Sequence, residues 1–204
     1  MKFDDHLDMV KSEAHNILGF IMRNSKEFKN NQALMFYFNS SVVSKLTYCS
    51  QIWSPFTLNR IKIFESSQHR FVRFLLYKSG RPMDGFDHEF SPKLEELNLP
   101  TIASIHVALS NKAVFKSLNG HINCEKFNNL FVTRNLSYNL RNPLFLETDA
   151  SFNANYLTMT SSTRMLRLWN KLTFQIRTLR SVNSFDAKNK KEVLSFKKNL
   201  RSLN

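Results

Sequence analysis

Two adjacent carboxylates near the start of the sequence are the first groups whose chemistry can be judged. Asp4 and Asp5 follow Phe3. Two carboxylates on a strand-turn-strand bend, joined by a third from a preceding strand, can hold two Mg²⁺ ions about 4 Å apart for phosphoryl transfer. Only two residues precede Phe3, and a helical period follows it. The sequence therefore favours a helix N-terminus capped by Asp4 or Asp5 over a catalytic site.

The histidines and cysteines show no pattern of metal ligation or nucleophilic catalysis. Six histidines are scattered without HExxH spacing, and we expect most of them at the surface or at helix caps: His6, His15, His69, His88, His106 and His121. Cys49 and Cys124 cannot complete a four-ligand zinc site or a disulfide framework, and they suit a reducing compartment. With only four glycines, the chain has no GxSxG turn, phosphate-binding loop or dinucleotide-binding turn. The sequence predicts no metal, no cofactor and no catalysis.

The remaining chemical signal is positive charge interleaved with aromatic rings. There are 29 Lys and Arg against 16 Asp and Glu, which gives a net charge of +13. From Arg134 to the end, 13 basic residues face 4 acidic ones, a net +9. Such an excess favours a polyanionic partner, with nucleic acid ahead of an acidic membrane surface. The alternative is that these cations form ordinary solvated helix faces.

Two groups of cations fall on predicted helix faces and are the candidate nucleic-acid contacts. A helix over 57–78 has an apolar face formed by Leu58, Ile61, Phe64, Val72 and Leu75. Its far side carries Lys62, His69, Arg70 and Arg73. A later helix carries the second group at i, i+3 and i+7, namely Arg164, Arg167 and Lys171. Trp53 and Trp169 lie on apolar stripes, so we expect them in the core rather than stacked on bases.

The rest of the pattern predicts a mainly α fold, a helical bundle with an irregular or extended segment around 133–160 and a basic helical C-terminus. Amphipathic helices are expected over 5–23, 101–118 and 184–200, a short helix opening at Ser91-Pro92, and one turn over 127–131. A helix over 31–53 is expected to be central and to end before Pro55. Its apolar stripe is Leu34, Phe38, Val42, Cys49 and Trp53. Residues 133–160 have no helical period. Few glycines and prolines disfavour a sandwich or barrel.

Seven short motifs, in order along nearly the whole chain, resemble one family. The first four are Phe3-x-x-His6; Leu18-Gly19-Phe20-Ile21 followed by Arg23; Leu46-x-Tyr48-Cys49-Ser50-x-x-Trp53-x-Pro55; and Ile63-Phe64-Glu65-x-x-Gln68-x-Arg70-Phe71. The last three are Leu94-x-x-Leu97-x-Leu99-Pro100; Phe115-Lys116-x-Leu118-Asn119-Gly120; and Arg164-x-x-Arg167-Leu168-Trp169-Asn170. Together they resemble the region after the palm in reverse transcriptases of jockey-like non-LTR retrotransposons.

The resemblance implies a division of the chain and a role for its first part. Residues 1–79 are similar to a three-helix thumb, which grips a template-primer duplex along its backbone. Residues 80–132 then form a helical connector, and residues 133–204 an irregular segment followed by basic helices. Two departures are clear: Ile105-His106 stands where the family is expected to have a double arginine, and the C-terminal cysteine and histidine cluster of some relatives is missing.

Together, the residues and the resemblance predict that the chain is a noncatalytic fragment of an RNA-directed DNA polymerase, which binds an RNA or DNA duplex without sequence specificity. It is not expected to be an enzyme on its own, because the palm with its catalytic aspartates is not in this sequence. The alternatives are a helical protein-protein interaction module, whose partner could be a missing palm domain, and a pseudogene product without function. The longest uncharged stretch, 30–44, is shorter than the roughly 20 residues of a membrane span. With no secretory signal at its start, we expect no membrane partner and an intracellular location, cytoplasmic or nuclear.

Overall fold

A computed structural model describes residues 3–25, 27–55, 57–80, 90–131, 146 and 160–200. These residues are mostly helical, which confirms the mainly α fold class. The helices of the first half are α1 (Asp4–Asn24), α2 (Asn31–Tyr37), a π-helical segment (Phe38–Val43), α3 (Ser44–Thr47), α4 (Ser50–Trp53), α5 (Leu58–Lys78) and α6 (Phe90–Glu96). Those of the second half are α7 (Ile102–Leu118), α8 (Glu125–Asn128), α9 (Ser161–Lys171), α10 (Phe174–Arg177) and α11 (Val182–Leu200).

The chain folds into two compact units, Met1–Ile105 and His106–Asn204. The boundary falls inside α7, so this one helix contributes its first turn to the first unit and the remainder to the second. The three segments expected from the sequence form a different partition, which stays a prediction. Most of the segment expected to be irregular, 133–160, lies outside the described residues, which include only Leu146 and Thr160 from it.

Helix α1 confirms the predicted amphipathic period but not the predicted cap. Its inward stripe is buried and consists of Leu7, Val10, Ala14, Leu18 and Ile21. The N-cap position is Phe3, and no side chain bonds to the free N–H groups of the first turn. Asp4 instead pairs with Arg60 of α5 at 2.9 Å, and Asp8 pairs with the same guanidinium at 2.8 Å. Cross-helix charge pairing therefore replaces the expected capping.

The segment 31–53 is not one helix. A π-helical stretch interrupts it, with the Ser44 N–H donating to the Asn39 carbonyl five residues earlier. It then breaks at Cys49, whose φ of +51° lies in the left-handed region. Cys49 is exposed rather than part of the buried stripe. Trp53 is buried as predicted, and its indole N–H donates to the Tyr48 carbonyl at 2.9 Å, which stabilises the bend.

Helix α5 lies in the core of the first unit. Its Phe71 stacks on Phe38 with ring centroids 3.9 Å apart, and both rings are fully buried. The buried Gln68 side chain donates to the Pro100 carbonyl at 2.8 Å, tying α5 to the turn before α7. The helix ends at Lys78, as predicted, and two residues later Gly80 has a φ of +65°, which favours glycine. One side of α5 is thus held firmly while the other faces outward.

The core of the second unit is aromatic. The Phe185 ring of α11 stacks on Phe115 of α7 with centroids 4.2 Å apart and on Trp169 of α9 at 5.9 Å. Trp169 is buried, as predicted. The Asn170 side chain makes two bonds with the Leu146 backbone, accepting from its N–H at 3.0 Å and donating to its carbonyl at 3.1 Å. The predicted short helix at Ser91-Pro92 falls within α6, whereas the predicted start of α8 is slightly wrong, since this helix begins at Glu125.

Candidate nucleic-acid interface

The outward side of α5 carries all four of the basic residues predicted for it. Lys62, Arg70 and Arg73 are exposed, and His69 is half-buried. The opposite side holds buried Phe64, Phe71 and Leu75 in the core, which fixes the rotation of the helix. Lys62 and Arg73 are eleven residues apart, or about 16 Å along the axis at 1.5 Å per residue. The cations therefore form a stripe about three turns long.

These cations border a single groove of about 950 Å³. The groove lies on α5 and is completed by Met22 from α1 and Phe90 from α6. Its lining from α5 is Lys62, Glu65, Ser66, His69, Arg70, Arg73, Phe74 and Tyr77. A helix face predicted from periodicity is thus one wall of a concave site in the tertiary structure.

Three aromatic rings line the groove, and the sequence reasoning did not include them. Phe90 lies against His69, with ring centroids 4.3 Å apart. The Lys78 ammonium lies 5.9 Å from the centroid of Phe74. Tyr77 is 75% exposed. The available signal was the spacing of Tyr77, four residues after Arg73 and seven after Arg70, which puts it on the same helix face.

Charge pairing separates Lys62 and Arg70 from a neighbouring arginine. Arg60, also on α5, is neutralised by two aspartates of α1. Lys62 and Arg70 form no ion pair with any residue that the structure describes. Glu65 places an acidic group in the groove lining. Lys62 and Arg70 therefore keep an unpaired positive charge on the outward side of α5 among the described residues.

His15 of α1 interacts electrostatically with Arg70 of α5. Burial lowers the pKa of His15 below its ordinary value of 6.5, and the charges of Lys11 and Arg70 lower it further. Its Nε2 lies 3.4 Å from the hydroxyl of Ser66, a residue of the groove lining. The neutral imidazole is favoured because burial disfavours the charged form and because the positive charges of its neighbours repel a further one.

The second predicted group, on α9, is not uniformly exposed. Arg167 and Lys171 are exposed, as expected. Arg164 is half-buried, and burial lowers the pKa of its guanidinium. Arg164 is therefore less exposed than the other two members of this group. These residues belong to the second unit.

A further arginine in this basic third of the chain also points inward. Arg177 of α10 is buried, and burial lowers its pKa while Glu192 of α11 raises it. The same Glu192 carboxylate accepts from the N–H of Thr173 at 2.8 Å and from its hydroxyl at 3.1 Å. The net +9 of the last third thus overstates the charge available at its surface.

The groups considered for other chemistry are dispersed. Asp4 and Asp5 lie in the first turn of α1, as predicted. Across the described ranges, no three His, Cys, Asp or Glu side chains come close enough to hold a metal ion, and Cys49 and Cys124 are free thiols. His106 is buried, whereas most of the histidines were expected at the surface or at helix caps, and His88 lies outside the described residues. No helix in the described part is long and apolar enough for a bilayer crossing.

Comparison with protein-family models, with curated proteins and with solved structures found no match to this chain.

Proposed function

We propose that this protein binds the sugar-phosphate backbone of nucleic acid through the outward cations of α5, without reading base sequence. The observation that carries the proposal is that Lys62, His69, Arg70 and Arg73 all border one groove. Phosphate contacts by Lys and Arg position a protein on nucleic acid but carry no sequence information. A rigid helix with a stripe of cations has the charge and shape that such contacts require.

The spacing of the cations fits a strand of phosphates. Phosphates advance by about 3.4 Å per nucleotide along the axis of one duplex strand. The stripe of about 16 Å between Lys62 and Arg73 therefore runs beside about five phosphates of one strand. Three exposed cations over that length can each approach a different phosphate.

The proposal also includes the kind of protein from which this chain derives. The motif order resembles the thumb and downstream region of a jockey-like reverse transcriptase, and a thumb grips duplex by its backbone. The helical first unit and its basic groove support a thumb-like role for residues 1–79. On this proposal, the chain contributes binding, and the polymerase chemistry belongs to a palm.

The test measures equilibrium binding of fluorescently labelled DNA and RNA-DNA duplexes of unrelated sequence. Wild-type protein is expected to bind all of them with similar affinity. The triple variant Lys62→Ala, Arg70→Ala, Arg73→Ala is expected to bind all of them more weakly, and by the same factor for each sequence, because only backbone contacts are lost.

A charge-matched control separates the groove from net charge. The variant Lys29→Ala, Lys126→Ala, Lys188→Ala removes three exposed lysines on other segments. Both triple variants have a net charge of +10 instead of +13. If the control loses as much affinity as the α5 variant, or if wild type discriminates strongly between sequences, the proposal is wrong.

A second candidate function, docking of a protein partner, is favoured by a separate cluster of exposed rings. Phe36 is 70% exposed and its ring lies 6.3 Å from that of Tyr37, which in turn lies 6.4 Å from the half-exposed Phe28. Clustered exposed rings mark interaction surfaces or aggregation sites. Light scattering over a range of protein concentrations tests this candidate. A monomer at all concentrations, unchanged by Phe36→Ser, counts against self-association through the cluster.

A further inference from the structure

The α5 groove places an exposed aromatic ring next to its cations. Arg73 and Tyr77 are four residues apart on one helix face, about 6 Å along the axis. Both line the groove, together with Arg70. Cations alone attract phosphates, whereas cations beside aromatic rings bind strands whose bases are free to stack.

Tyr77 is the ring in this lining that can accept a base. Phe90 is occupied by His69 on one side and packs against the small core cluster of Val72 and Leu76 on the other. Phe74 is partly buried and has the Lys78 ammonium nearby. Among the described residues, no ring or cation packs on Tyr77, and 75% of its surface is exposed.

Exposure of a tyrosine does not by itself indicate a site, because large side chains are often exposed singly. Tyr48 makes the comparison within the same molecule. It is also 75% exposed, but it lies at the break before α4 and outside the groove. What distinguishes Tyr77 is its place in the groove near Arg70 and Arg73, which can hold the phosphate of the nucleotide that stacks on it.

We infer that the groove binds an unpaired nucleotide, whose base stacks on Tyr77 while Arg70 and Arg73 bind its phosphate. The inference rests on the proposed function, since it requires phosphates along α5. Paired bases inside a duplex are stacked on their neighbours and offer no free face. The preferred substrate is therefore a nucleic acid with a single-stranded extension rather than a blunt duplex.

The test uses the full chain and three labelled substrates that share one duplex. The first is blunt, the second has an extension of about six nucleotides, and the third has the same extension without bases. Wild type is expected to bind the extension with bases about 5- to 150-fold more tightly than the abasic one, the range measured for stacking of one base on an aromatic ring. The abasic extension controls for the added phosphates.

The variants test whether Tyr77 causes the tighter binding of the extension with bases. Tyr77→Ala is expected to bind the two extensions equally. Tyr77→Phe and the matched Tyr48→Ala are expected to keep the preference for the extension with bases. Tyr48→Ala, which lies outside the groove, is expected to bind the blunt duplex as wild type does, and urea unfolding curves check that the two Tyr77 variants are folded. Equal affinity for the two extensions, or a gain that survives in Tyr77→Ala, overturns the inference.

The two proposals fail in different ways. If the blunt duplex binds with the expected dependence on Lys62, Arg70 and Arg73 but Tyr77→Ala has no effect, only the inference about unpaired nucleotides is wrong. If neither the duplex nor the extended substrates bind, the proposed function fails and the inference fails with it.

Discussion

The salt dependence of duplex binding tests how many phosphates the α5 cations contact. The perturbation is the triple variant Lys62→Ala, Arg70→Ala, Arg73→Ala. Each cation that neutralises a phosphate releases condensed counterions, so the logarithm of the association constant falls with the logarithm of salt concentration. The slope contributed by each contact on duplex DNA is about −0.9.

The structure sets the number of contacts that the variant removes. Lys62 and Arg70 are about 12 Å apart along α5, and Arg70 and Arg73 about 4.5 Å. Both distances exceed the rise of about 3.4 Å between phosphates, so the three cations can contact three different phosphates. Removing them should make the slope less negative by about 2.7. Between about 50 and 200 mM salt, the variant should lose about 40-fold less affinity than wild type.

Fluorescence anisotropy of a labelled duplex at four or more salt concentrations measures both slopes. The control variant at Lys29, Lys126 and Lys188 has the same net charge and should keep a slope closer to that of wild type. A slope that is unchanged in the α5 variant, or a wild-type affinity that does not depend on salt, would refute the reasoning that these cations contact phosphates.

Further predictions concern the titration of His15, the buried ring of Phe71 and the turn at Gly80. A phosphate bound at Arg70 should raise the pKa of His15, measured from imidazole NMR shifts, and an unchanged pKa in the complex would contradict contact there. Because the folded pKa of His15 lies below 6.5, the free energy of unfolding should fall as pH drops through that value, and fall less in His15→Gln; equal pH profiles would contradict this. Phe71→Ala should lower the free energy of unfolding in urea by about 3–5 kcal/mol, because the ring is fully buried, while exposed Phe36→Ala should change it by less than about 0.5 kcal/mol. Gly80→Ala should cost about 1 kcal/mol from its positive φ alone, since no atom lies within 4 Å of the added methyl group; a neutral result would mean that the turn relaxes.

The helices and the basic face of α5 were predictable from the sequence. Periodicity of 3.6 residues placed Leu7 to Ile21 of α1 inward and Lys62, Arg70 and Arg73 of α5 outward. Glycine at position 80 marked the end of α5 because a left-handed residue is needed there. These features depend on residues within one or two turns of each other, so local patterns are sufficient to predict them.

The features that the sequence did not predict depend on long-range packing. The interruption at Cys49 was not predicted, because the stripe that includes Trp53 is equally compatible with a straight helix. Arg164 belongs to the same helix as Arg167, but its partial burial depends on its neighbours in the tertiary structure. His106 is buried, and a lone histidine carries no periodic signal that predicts its burial.

The amino-acid sequence was sufficient to predict which side of α5 is positively charged, because the angular position of a residue on a helix follows from its number alone. It was not sufficient to predict that this side forms a groove or that Tyr77 belongs to it. Met22 of α1 and Phe90 of α6 complete the groove, and both are distant from Arg70 in sequence. Their approach depends on how three helices pack around a shared core, and no local pattern encodes that packing.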